Sequence, residues 1–167
     1  MKARPKHYKF IIGGVSIALI AVTTAFIMFP VGTAGAYINA GDALVYVCAY
    51  MLGGVLGGVC AGLGSALADI MLGVVIYAPA SFVIKGLMAI IAWLFMRPLK
   101  NKTPLPALAV AGLVMPLGYY LYELFIFGSA AAFAGLMFNL IQYACGVLLG
   151  WLAITAVKKV ENRLQAL

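Results

Sequence analysis

The sequence predicts an all-α integral membrane protein with six transmembrane helices and both termini cytoplasmic, and three features carry that prediction. Hydrophobic residues make up 66% of the 167 and charged residues 9%, against roughly 45–50% and 25% in ordinary soluble domains. A soluble domain has too little interior to hide so much apolar surface. The apolar residues come in continuous runs, each about the 20 residues that a helical span needs, and period-two alternation is absent, so a closed β-barrel does not fit. Ten of the eleven Lys and Arg residues fall outside these runs, in segments that six crossings place on one side.

Taken in order, the first run is Phe10 to Phe29, closed by Pro30 and a Gly/Ala-rich loop from Val31 to Ala40. Lys2, Arg4, Lys6 and Lys9 precede it like the basic start of a signal peptide. It is longer than a signal core of about 7–15 residues and more spans follow, so it reads as a retained first helix. The second run, Asp42 to Tyr77, has 36 residues. That is too long for one span and right for two short ones, turning in the glycine-rich stretch Gly53 to Gly58. Pro79 breaks the chain, and Ala80 to Met96 forms the fourth helix, ended by Arg97 and Pro98. A polar link, Leu99 to Pro106, leads to the fifth helix from Ala107 to Phe127; Gly128 and Ser129 then precede the sixth, about Ala131 to Val157. The whole chain, 1–167, reads as one membrane domain with cytoplasmic tails at 1–9 and 158–167.

Orientation follows from the positive charges. The inside segments carry Lys2, Arg4, Lys6 and Lys9, then Arg97, Lys100 and Lys102, then Lys158, Lys159 and Arg163. The outside loops carry none, and Lys85 alone lies within a span. The net charge of +7 is thereby explained by topology and anionic lipid, without a nucleic-acid partner. Cys48, Cys60 and Cys145 sit in apolar runs with no C-x-x-C pair, the single histidine lies in a basic tail, and no phosphate-binding glycine loop is present. No metal, no cofactor and no enzymatic activity of the chain's own is expected from these residues; nucleotide-driven work falls to a partner.

The informative residues are the polar ones inside the spans. Asp42 opens the second helix at its outer end, Asp69 lies near the outer end of the third, and Glu123 is a turn from the outer end of the fifth. Lys85 lies about 7 Å below the outer start of the fourth at 1.5 Å per residue. Asn139 and Gln142 are three apart on the sixth helix and share a face. All ionisable groups within the spans thus fall in the outer half, whereas a channel or proton relay needs polar groups throughout. An outward-facing cup with a dry floor fits better. Each residue also has a purely structural reading: Asp42 at a positive helix end, Asp69 and Lys85 neutralising one another, Glu123 reaching interfacial water, and Asn139 and Gln142 as interhelical glue. The tyrosines at 37, 77, 119, 120 and 122 gather on the same side, as an aromatic belt would. Gly54, Gly58, Gly62 and Ala66 repeat every four residues and form a flat stripe for close helix packing.

Several segments resemble, in order and spacing, the substrate-binding S component of energy-coupling factor (ECF) vitamin transporters. They are Ala21-x-x-x-Ala25 on the first helix, Asn39-Ala40-Gly41-Asp42, and the hairpin running through Gly64-Ser65-Ala66-Leu67-Ala68-Asp69. Tyr77-Ala78-Pro79 and Ile84-Lys85-Gly86 complete the set. The resemblance covers nearly the whole chain and is nearest to the riboflavin-type branch with its hydroxymethylpyrimidine-like and pyridoxine-like members. It implies that the protein takes a vitamin from the outer side. It further implies docking through Ala21 and Ala25 on a membrane coupling subunit (T component) driven by two ATPase subunits, and toppling in the bacterial plasma membrane to release the cargo. Loop 1, the 76–85 segment and the last three helices would line the pocket.

The candidate substrate-binding residues are Asn39, Asp42, Asp69, Tyr77, Lys85, Tyr119, Glu123, Asn139 and Gln142. Three carboxylates against one lysine disfavour an anionic cargo such as folate or biotin. A neutral or weakly cationic aromatic heterocycle with hydroxyl or amino groups fits, of the hydroxymethylpyrimidine or pyridoxine type, with riboflavin as the larger alternative. A proton-coupled exporter using Glu123 is the reading from another class, and it lacks a polar path to the inner side.

Overall fold

The computed structural model describes residues 6–30, 37–99 and 103–166. Among the described residues, seven α-helices form five apolar stretches long enough to cross a membrane and a shorter one, Gly41–Leu52. The seven are α1 (Lys6–Phe26), α2 (Gly41–Leu52), α3 (Gly54–Met71), α4 (Ala78–Met96), α5 (Leu105–Gly112), α6 (Val114–Phe127) and α7 (Ser129–Gln165). The fifth crossing is shared by α5 and α6, which meet at a break at Leu113. Pro116 has no N–H to offer the carbonyl four residues earlier, and its ring crowds that turn, so the break falls there.

The first expected span is corrected at its outer end. The helix stops at Phe26, and Met28–Pro30 (β1) instead pairs antiparallel with Tyr37–Asn39 (β2), with Phe29 opposite Ile38. Pro30 pushes the residue before it towards extended backbone, which a helix cannot use. The all-α expectation therefore holds for the crossings but not for this two-stranded ribbon. Residues 31–36, the middle of the expected first loop, lie outside the described residues, as do Lys2, Arg4, Lys100 and Lys102.

The α2–α3 turn is tighter than the Gly53–Gly58 stretch expected. Only Gly53 lies between the helices, and it and Gly54, the first residue of α3, take φ of 66° and 52°, a backbone that costs glycine nothing and other residues strain. A Cβ at Gly53 would stand 2.5 Å from the Trp93 indole nitrogen, and Arg97 stacks on that indole at 4.7 Å. The remaining glycines of the stripe belong to α3 and bring it against α4: a Cβ on Gly58 would come within 3.0 Å of the Gly86 carbonyl oxygen, and one on Gly62 within 3.0 Å of the Phe82 ring. Small residues let two helix backbones approach where lipid supplies no hydrophobic drive of its own.

Gly13 of α1 faces Cys60 and Leu52, Trp93 covers the α2–α3 turn, and Tyr50 donates a hydrogen bond to Glu161 of α7 at 2.9 Å. The start of α1, the end of α2 and the end of α4 thus share one end of the bundle with the C-terminal part of α7. Above them lies an apolar core built from Val45, Tyr46, Met88, Leu108, Met115 and Ile154, among others, each at most 1% exposed.

Candidate functional site

Every buried charged residue among the described ones, with the buried Asn, Gln, Ser and Thr, lies at the opposite end, around a single cavity. They are Thr24, Asn39, Asp42, Ser65, Asp69, Ser81, Lys85, Glu123 and Gln142. The cavity measures about 500 Å³, and Tyr77, Tyr119, Phe138 and Asn139 complete much of its wall. All nine residues singled out as substrate-binding candidates line it.

The geometry is built mostly from pairs one helical turn apart, which share a face. Helix α3 supplies Ser65 and Asp69, α4 supplies Ser81 and Lys85, α6 supplies Tyr119 and Glu123, and α7 supplies Asn139 and Gln142. On α7 the inward face reads Gly135, Asn139, Gln142, Gly146 and Gly150, at intervals of four, three, four and four. Its glycines make room for carboxylates from facing helices. A Cβ on Gly135 would stand 2.8 Å from the Glu123 carboxyl carbon, and one on Gly146 would stand 3.0 Å from Asp42 Cβ.

Lys85 forms a buried ion pair with Asp42, and Gln142 Nε2 donates to the second oxygen of Asp42 at 2.9 Å. This overturns the expected neutralisation of Lys85 by Asp69. Depth placed those two residues side by side, whereas the rotation of α4 turns the ammonium towards α2. Asp42 stands in the first turn of α2, the positive helix end expected for it. Just before it, the Gly41 N–H donates to Asn39 Oδ1 at 2.9 Å.

Glu123 is 8% exposed, too buried for the interfacial role considered for it. Its Oε1 accepts a hydrogen bond from Tyr77 at 3.3 Å, while Ser81 Oγ and Tyr119 OH share one at 2.6 Å. The Tyr77 ring packs against Tyr119, Tyr122 and Phe127 with centroids 5.7–6.3 Å apart, and Tyr122 OH donates to the Ile76 carbonyl, fixing the α3–α4 connection to α6. Among the described residues, Asp69 Oδ2 and Glu123 Oε2 are buried side-chain oxygens without a hydrogen-bond partner.

Ala21 and Ala25 are 4% and 5% exposed, turned into the bundle, and the outward stripe of α1 is Ile11, Val15, Leu19, Val22 and Phe26. In this arrangement the two alanines pack the protein's own helices. Thr24 lines the cavity and abuts Gly41. Sequence reasoning also passed over Ser65 and Ser81, although each stands one turn from a residue it had named; that spacing was the available signal.

Apolar helices around a polar cup closed below by an apolar floor, with no polar path across among the described residues, define a membrane-embedded helical bundle with a cavity at one end. The family model for the ECF-type riboflavin transporter S component matches residues 6–159, and the chain belongs to that family of membrane transport proteins. It is also 31% identical over 132 residues to an uncharacterized protein in a gap 3' region of Pyrococcus woesei, covering 78% of this chain and 88% of that one. A solved structure described as the S component of a bacterial ECF transporter superposes with a TM-score of 0.74 and 19% identity. It covers 96% of this chain and 99% of its own, a likeness of fold.

Proposed function

We propose that this protein is the vitamin-binding subunit of an ECF transporter, capturing an aromatic heterocyclic vitamin or precursor in the outward cup for ATP-driven uptake. The membrane coupling subunit and two ATPase subunits of such a transporter are its proposed partners. The single observation that carries the reading is that, among the described residues, every buried charged group lies around one cavity, with an apolar core beneath it. A binding subunit needs that asymmetry. The proton-coupled exporter does not, because its coupling group needs access to both sides.

Within that class, the matched family and the cavity volume of about 500 Å³ support riboflavin or a molecule of its size. Such a ligand would stack on Tyr77, Tyr119 or Phe138. The single-ring vitamins of the hydroxymethylpyrimidine or pyridoxine type are the second reading, favoured by the same excess of carboxylate over lysine. They leave much of the volume to water. Mass spectrometry of small molecules released from purified, denatured protein tests both. A flavin is also visible as yellow absorbance in the native preparation. Release of an anionic cofactor, or uptake that runs on a proton gradient with no ATPase partner, overturns the reading.

A further inference from the structure

The charged groups of the cup are not equivalent in their bonding. Asp42 is satisfied within the protein: one oxygen takes the Lys85 ammonium, the other the Gln142 amide, and the Lys85 ammonium also lies 5.7 Å from the centre of the Tyr119 ring. This network ties α2, α4 and α7 together and reaches to α6. Asp69 and Glu123 differ. Each is buried, each lines the cavity, and each keeps one oxygen without a partner among the described residues. A buried acceptor left unmatched is unfavourable, and native proteins keep few of them without a functional reason. The two carboxylates stand on different helices, α3 and α6, so one donor group cannot be assumed to serve both.

Resting on the vitamin-binding reading above, the geometry points to a division of labour. Asp69 and Glu123 select the cargo, each accepting a hydrogen bond from an N–H or O–H on the bound heterocycle. Asp42, Lys85 and Gln142 are positioning residues that hold the helices carrying the wall. The ligand class follows: a planar heterocycle with donors on two of its edges, as a flavin has in its ring imide and its polyol chain. A carboxylate- or phosphate-bearing cargo is rejected because it brings negative charge to two carboxylates whose neighbouring lysine is already paired.

The test uses the full-length protein in detergent, titrated calorimetrically with riboflavin, pyridoxine and hydroxymethylpyrimidine; the tightest binder is carried through the variants. Asp69→Asn and Glu123→Gln should each weaken it by about tenfold or more, the loss of one charge-assisted hydrogen bond, with the melting temperature unchanged or raised. Lys85→Met should lower the melting temperature and the affinity together. Adding Asp42→Asn to it removes the stranded charge and should restore melting together with a measurable part of the lost affinity. Wild-type affinity in both carboxamide variants overturns the selecting role. A double variant that regains melting without binding shows that Lys85 touches the ligand and overturns the positioning role. If none of the three probes binds the wild-type chain, the vitamin reading itself fails, and this assignment with it.

Discussion

The two halves of the bundle bury polar atoms in different ways. At the floor, polar side chains are few and their hydrogen bonds are made within the protein: Tyr46 OH donates to the Leu108 carbonyl and Tyr143 OH to the Ala109 carbonyl, each at 3.1 Å. In the cup, charged groups are dense and two carboxylate oxygens are left over. Both halves use the same helices and the same small residues for close contact. The contrast shows where the fold is optimised for itself and where it is held ready for something else.

The comparison first depends on which way the molecule faces. A reporter fused after Lys102 or after Leu167 should stay cytoplasmic, and one in the Val31–Ala40 loop should face outside. Opposite locations for the two termini would break the cup-and-floor description entirely. At the next scale, truncating the floor should affect stability alone. Met88→Ala removes a side chain that is 1% exposed and should cost about 2–5 kcal/mol by opening a cavity, read as an earlier thermal transition with ligand affinity nearly unchanged in the molecules that remain folded. Equal losses of stability and affinity would mean that the floor and the cup are one unit.

A smaller effect is expected on α1. Ala21→Leu or Ala25→Leu overfills an inward face and should cost about 1–3 kcal/mol in the isolated protein. Unchanged melting with failed assembly on the coupling subunit would instead return these alanines to a docking role. The smallest effect tests the rim. Tyr77→Phe keeps the stacked ring and loses the bond to Glu123, a change of about 0.5–1.5 kcal/mol. It should appear as a several-fold change in affinity with little change in melting temperature.

Depth along a helix was legible in the sequence. The rise per residue is fixed, so counting from each apolar boundary places Asp42, Asp69, Lys85, Glu123, Asn139 and Gln142 at one level without any knowledge of packing. The spans and a turn within Gly53–Gly58 were legible for the same reason, since apolar length and glycine conformation are local properties. Rotation about the helix axis was not. A helix apolar nearly all round has no polar face to show which side turns inwards, so Ala21 and Ala25 could be read as outward until α1 was seen packed with Ile11, Val15 and Leu19 exposed.

Partner choice was beyond reach as well. Lys85 could pair with either carboxylate at its level, and only the facing of α4, α2 and α7, with Gly146 admitting Asp42, settles that it takes Asp42. The sequence by itself determined a membrane protein of six crossings with its polar residues gathered at one end, because span length and axial position depend on local chemistry. The tertiary structure alone decided which carboxylates are satisfied and which keep an oxygen without a partner among the described residues, because that depends on the rotation and neighbours of helices that meet only in the folded bundle.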